Sequence, residues 1–145
     1  MSGFSQGDSR RLLILVDDDA DDLMLFQRAL RKAGTNLHCA LCRRGSQGAR
    51  IALALWTEVA SVCLVSDSKL QDMSGFDLLK RVKEITLPIP VKFAFLIGNT
   101  KPFVEARPYS SGADAFFVKP SSFADLVGIA RGIANLAANS QQGGG

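Results

Sequence analysis

The chain has 145 residues, 47% of them hydrophobic and 21% charged, with a formal net charge of +3. This length and balance fit one globular domain with a single core and exclude overall disorder. No apolar run approaches the roughly eighteen residues of a membrane span, so no membrane insertion is expected, and so mild a charge does not by itself imply a nucleic-acid binder.

The opening stretch MSGFSQGDSRR lacks the apolar run of a secretory signal, so a cytoplasmic location and a flexible N-terminus over residues 1–10 are expected. LLILV (12–16) predicts a strand buried on both faces. Behind it Asp17, Asp18, Asp19, Asp21 and Asp22 crowd into six residues. Two such charges about 5 Å apart repel by about 3 kcal/mol at an effective dielectric near 20, so the crowding needs a compensating partner. ADDLMLFQRALRKAG predicts a helix with Leu23, Phe26 and Leu30 on one face, basic residues at its end and Gly34 as its stop. Asp19, Asp21 and Asp22 then read as cap and first-turn acids that complement the helix dipole.

LHCALC (37–42) predicts the second strand. It contains C-x-x-C beside His38, but cysteines three apart on a strand point to opposite faces, and a zinc site wants four ligands. Cys39, Cys42 and Cys63 therefore read as buried small hydrophobes. From Leu23 to Thr57 there is no acid, while Arg28, Arg31, Lys32, Arg43, Arg44 and Arg50 fall there. No aromatic residues interleave these charges, so they read as solvated helix faces and turns, with a basic docking surface as the alternative. A helix ending at Trp56 precedes the third strand, SVCLV (61–65).

SGFDLLKRVKEI predicts a helix with Phe76, Leu79 and Val82 on one face, halted before Pro88. VKFAFLI (91–97) and AFFV (115–118) predict the last two strands. Between them KPFVEARPYSSG should carry a helix in which Pro102 is harmless near the start, whereas Pro108 breaks the interior and leaves the helix short and reshaped. A serine-capped helix from Ser122 to Ala138 closes the pattern, ahead of a flexible glycine-rich tail over 140–145.

Alternating strands and helices imply an α/β fold: a doubly wound, five-stranded parallel sheet in the flavodoxin-like order 2-1-3-4-5. Ligands of such sheets bind beyond the carboxyl ends of the strands where the order reverses, here between strands 1 and 3, about 4.8 Å apart. Strand 1 ends at Asp17 and Asp18, strand 3 at Asp67, and strand 5 at Lys119 and Pro120. Such an acid cluster suits magnesium, which binds through one or two carboxylates and completes its shell with water and phosphate oxygens. Lysine supplies a point charge for the same phosphoryl group, and Asp67 remains as a nucleophile toward phosphorus.

Over roughly Leu12 to Ala138 the chain resembles the receiver domain of two-component response regulators (CheY-like). LVDDD matches the acidic pair, SDSKLQDMSG the phosphoacceptor loop and GADAFFVKP the lysine loop. The family's aspartate precedes a glycine by eight residues, as Asp67 does Gly75, and its lysine follows a switch aromatic by three, as Lys119 does Phe116. The resemblance implies Asp67 as phosphoacceptor, Asp17, Asp18, Asp67 and the Lys69 backbone carbonyl as ligands of Mg2+, Lys119 as the phosphoryl-binding group, and positions 97 and 116 as the switch. It also implies a sensor histidine kinase or phosphotransfer protein as donor and a downstream protein target. With only NSQQGGG after the last helix, residues 11–139 are expected to be a stand-alone, partly atypical receiver in a His-Asp phosphorelay, with no direct nucleic-acid contact and no enzymatic activity beyond its own phosphorylation and dephosphorylation.

Three positions depart from the family. Gln71 stands where proline is usual, Ile97 where strand 4 ends in serine or threonine, and Pro108 interrupts the usual output face. Loss of the hydroxyl at position 97 removes a charge-assisted hydrogen bond of about 1.5–3 kcal/mol, and Ile97 fills the volume an inward Phe116 would need. Two alternatives follow: an interaction module of the same fold that works without phosphorylation, and a small aspartyl-phosphate phosphatase, suggested by D-x-D after strand 1.

Overall fold

The computed structural model describes residues 10–98 and 112–138. Along the chain run β1 (Arg11–Val16), α1 (Ala20–Lys32), β2 (His38–Cys42), α2 (Gly45–Leu55) with a 3-10 turn at Trp56–Glu58, and β3 (Ser61–Ser66). Then follow α3 (Gly75–Ile85), β4 (Val91–Ile97), β5 (Ala115–Val118) and α4 (Phe123–Ala138). The strands form one parallel sheet in the order β2-β1-β3-β4-β5, as predicted. The helix expected around Pro102 and Pro108, and the terminal segments expected to be flexible, lie outside the described residues apart from Arg10.

The inner strands β1, β3 and β4 are mostly apolar on both faces because both faces are covered, whereas the edge strands β2 and β5 are only partly buried. On one side Ile14, Val16, Leu64, Phe95 and Ile97 pack with Ala49 and Ala52 of α2 and Leu78 and Leu79 of α3. On the other, Leu13, Leu15, Val65 and Leu96 pack with Leu23 and Phe26 of α1 and Leu126 and Ile133 of α4. All six residues of β3, the central strand, are buried. Cys42 belongs to the first core while Cys39 packs against the second, so the C-x-x-C pair does straddle the sheet. Burial pushes the Cys39 and Cys63 thiols up to about 12 and Cys42 to about 11.

Local signals set the helix ends. Asp19 caps α1 through its side chain, and α1 stops in a left-handed Gly34, where Gly34 N–H donates to Arg31 and Thr35 N–H to Leu30. Ser74 caps α3 and Ser122 donates the same service to α4 by accepting from Asp125 N–H. The buried face of α3 is centred on Leu78, Leu79 and Val82 rather than on Phe76, which is half-buried with its ring 4.8 Å from Phe95. α2 approaches β1 closely: a Cβ on Gly48 would stand 2.9 Å from Val16 Cγ2.

Candidate functional site

Backbone pairing builds the site. β1 and β3 are in register with Val16 opposite Ser66, so the next residues, Asp17 and Asp67, leave the sheet side by side. Asp67 N–H donates to the Val16 carbonyl at 3.1 Å and Asp17 N–H to the Cys42 carbonyl at 3.0 Å, which extends the ladder to the acids themselves. At β5, Lys119 N–H donates to the Ile97 carbonyl at 2.7 Å and turns the lysine over the same edge.

The lysine lands among three carboxylates. Its Nζ lies 2.7 Å from Asp17 Oδ2, 2.9 Å from Asp22 Oδ2 and 3.2 Å from Asp67 Oδ2. An ammonium has three donors, and all three are engaged. Asp17 Oδ1 accepts from Asp19 N–H at 2.9 Å, and Asp67 Oδ1 from Ser68 N–H at 2.7 Å. Asp18 stands beside them, its carbonyl accepting both Nε and Nη2 of Arg43. Carboxylate oxygens of Asp17, Asp18 and Asp67 all come within 4.8 Å of one another, a set of hard oxygen donors fit for a small divalent cation.

The surroundings sharpen these charges. A cavity of about 70 Å³ lined by Leu23, Phe26, Leu96, Pro120 and Leu126 opens beside the acids. Burial pushes the Asp17 carboxyl up against the pull of Lys119 and of Asp19 N–H. Burial also works against the Lys119 ammonium, but the hydrogen bonds it donates to Asp17 and Asp22 outweigh this and hold the group well above the usual lysine value.

The loop from Asp67 to Ser74 is folded tightly on itself. Leu70 N–H donates to the Met73 carbonyl, Gly75 N–H to the Ser68 carbonyl, and Lys69 pairs with Ser74 in an isolated antiparallel bridge. Gly75 is the residue that permits this: a Cβ there would collide with the Asp67 carbonyl oxygen and with the Phe95 ring. The eight-residue interval from Asp67 to Gly75 is thus a contact. Gln71, in place of the usual proline, is exposed in this turn. At the far side of the site, Ile97 is fully buried in the core cluster against which Phe116 packs.

Three participants escape a reading of the sequence. Asp22 was expected only as a first-turn acid; it is in the first turn and also reaches Lys119. Asp72, within SDSKLQDMSG, caps α2 from 27 residues away by accepting from Gly45 N–H at 2.9 Å, and accepts from Ser46 N–H at 3.0 Å. Asp72 is exposed, and the slight desolvation that pushes its carboxyl up is more than reversed by the Ser46 and Gly45 donors, leaving it below the ordinary aspartate value. Arg43, read as a solvated charge, is tied to Asp18. A helix acid five residues after a strand-edge acid was the one available signal for Asp22; nothing in the spacing marks the other two.

Among the described residues, no helix is long and apolar enough to cross a membrane. The sequence profile of the response regulator receiver domain matches residues 13–131. The response regulator protein TmoT of Ectopseudomonas mendocina is 28% identical over 135 residues, 93% of this chain and 58% of that protein. The transcriptional regulatory protein TrcR of Mycobacterium tuberculosis is 30% identical over 121 residues, 83% of this chain and 44% of that protein. The chain thus spans about half the length of the curated relatives it matches. In fold it is similar to a response regulator receiver domain protein from Clostridium thermocellum, with a TM-score of 0.69 and 24% identity over 91% of this chain and 97% of that one. By its sequence and by the fold that carries it, the chain belongs to the response regulator receiver domain family.

Proposed function

We propose that residues 11–139 form a magnesium-dependent phosphoacceptor in a His-Asp phosphorelay, with Asp67 as the accepting residue. The observation that carries this is the Lys119 ammonium held on Asp67 and Asp17 beside a set of three convergent carboxylates. An Asp67 carboxylate oxygen forms the new bond to phosphorus, the bond from phosphorus to the donor's nitrogen or oxygen breaks, and the leaving group departs with that electron pair. Magnesium, when held by Asp17, Asp18, Asp67 and the Lys69 carbonyl, supplies counter-charge to the phosphoryl oxygens. Lys119 exchanges its long contact to Asp67 for a phosphoryl oxygen, and the mostly buried setting strengthens that charge-assisted bond. The donor is a sensor histidine kinase or phosphotransfer protein, and the output is a contact with a downstream protein in the cytoplasm.

The test is mass spectrometry of the intact chain after incubation with magnesium and acetyl phosphate. A gain of one phosphoryl group is expected in the natural chain and none in Asp67→Asn. Mass gain that persists in Asp67→Asn would assign the acceptor elsewhere.

One observation favours a second reading, an interaction module whose output is independent of phosphorylation. Ile97 offers no donor and fills the core beside Phe116. On that reading phosphorylation moves β5 little, and Ile97→Thr enlarges the chemical-shift change that a phosphoryl mimic produces there. An equally large shift in the natural chain would dismiss it.

A further inference from the structure

Asp22 lies outside the set of acids that converge for a cation, yet it holds the second-shortest contact to Lys119, at 2.9 Å against 3.2 Å for Asp67. Its place is fixed from behind: Asp19, the cap of α1, accepts from the Asp22 backbone N–H. Its carboxylate is more exposed than those of Asp17 and Asp67, facing the mouth of the site rather than its floor. The ammonium therefore has no spare donor for an incoming phosphoryl oxygen. One of its three carboxylates must yield, and Asp22 adds a negative charge at the more exposed side of the site.

We infer that Asp22 is a positioning residue that acts through Lys119, competing with the phosphoryl group for the ammonium while strengthening the hold on a divalent cation. This rests on the phosphoacceptor reading of Asp67. Four carboxylates around one ammonium leave three net negative charges, one more than Asp17, Asp18, Asp67 and Lys119 leave alone. An additional negative charge attracts the metal and repels the phosphoryl anion, so its removal shifts the two in opposite directions. A residue that merely supported the fold would shift both in the same direction.

The experiment compares the natural chain with Asp22→Asn, which keeps an oxygen acceptor for Lys119 and removes the charge, and with Asp22→Glu, which restores the charge. Asp21→Asn is the control: Asp21 shares the first turn of α1 and lines the outward pocket with Asp18 and Arg43, away from Lys119. Magnesium affinity is read by NMR titration of the metal alone, and the initial rate of mass gain from acetyl phosphate is read at saturating magnesium. In Asp22→Asn, magnesium binding should weaken and the rate should rise, each about two- to fivefold, the scale of a partly exposed charge acting on its neighbour. Asp22→Glu and Asp21→Asn should stay near the natural chain. If the natural chain gains no mass, the phosphoacceptor reading fails. If it gains mass and Asp22→Asn matches it in both measurements, or loses in both together, this inference is overturned.

Discussion

The β1–α1 loop and the β3–α3 loop face each other across the sheet edge, and each is held by different means. From Asp17 to Asp19 the first satisfies its side chains locally: Asp17 accepts from Asp19 N–H, and Asp19 caps the helix that follows, accepting from Asp21 and Asp22 N–H. Outside help comes at the Asp18 carbonyl from Arg43 and at Asp17 N–H from the Cys42 carbonyl. The second, from Asp67 to Ser74, borrows support. Its own turn depends on Gly75 lying against the Asp67 carbonyl, and its outer arm hangs on α2 through Asp72, with Met73 and Leu70 against Gly45. A short acid loop can be satisfied by neighbouring N–H groups; a longer loop exposes more backbone than it can pair and recruits the rest of the fold. Two halves of one site therefore differ in what they can tolerate.

The largest expected effect comes from the borrowed loop. Gly75→Ala forces a methyl into the Asp67 carbonyl and the Phe95 ring, so unfolding by denaturant should show a loss of about 3 kcal/mol, the upper end for overpacking a core. An equally large loss from Asp19→Ala would erase the distinction. Asp72→Ala should come next, at about 1–2 kcal/mol for a lost cap, with NMR shifts in both the first turn of α2 and residues 68–74. Asp19→Ala should cost about 1 kcal/mol, with shifts confined to α1 and the acids beside it.

The smallest effect is a pH dependence. Asp72 has its carboxyl held below the ordinary value in the folded state, so its contribution is present above about pH 4 and is lost as pH falls through the folded value. Amide signals of Gly45 and Ser46 should therefore move as the pH falls below about 4 in the natural chain and stay still in Asp72→Asn. Movement that is the same in both would place the titrating group elsewhere.

The same contrast explains what could be read in advance. Strands were legible because burial on two faces leaves near-continuous apolar runs, and the ends at Val16, Cys42, Ile97 and Val118 fall where predicted. Asp17, Asp18, Asp67 and Lys119 were legible because strand order alone brings their ends to one edge. Asp22 was hidden because the helix dipole already accounts for an acid in a first turn. Asp72 and Arg43 were hidden because each pairs with backbone atoms 25 or more residues away, and backbone partners leave no complementary residue type to find. On α3, Phe76 packs its ring against Phe95 and stays half-buried, while Leu78, Leu79 and Val82 form the buried face.

The Lys119 ammonium has a further consequence, which belongs to folding. Its contacts to Asp17, Asp22 and Asp67 span 102, 97 and 52 residues of chain, tying the last strand of the sheet back to the first helix turn. Closing loops of that length delays such contacts until the sheet between them has assembled, though the entropy involved grows only logarithmically with length. Whatever cation or anion later occupies this edge finds its ligands only in the native chain, so it works as a removable crosslink. At a hundred times its dissociation constant such a ligand adds about 2.7 kcal/mol to the stability of the whole domain, through groups that supply almost none of its apolar core.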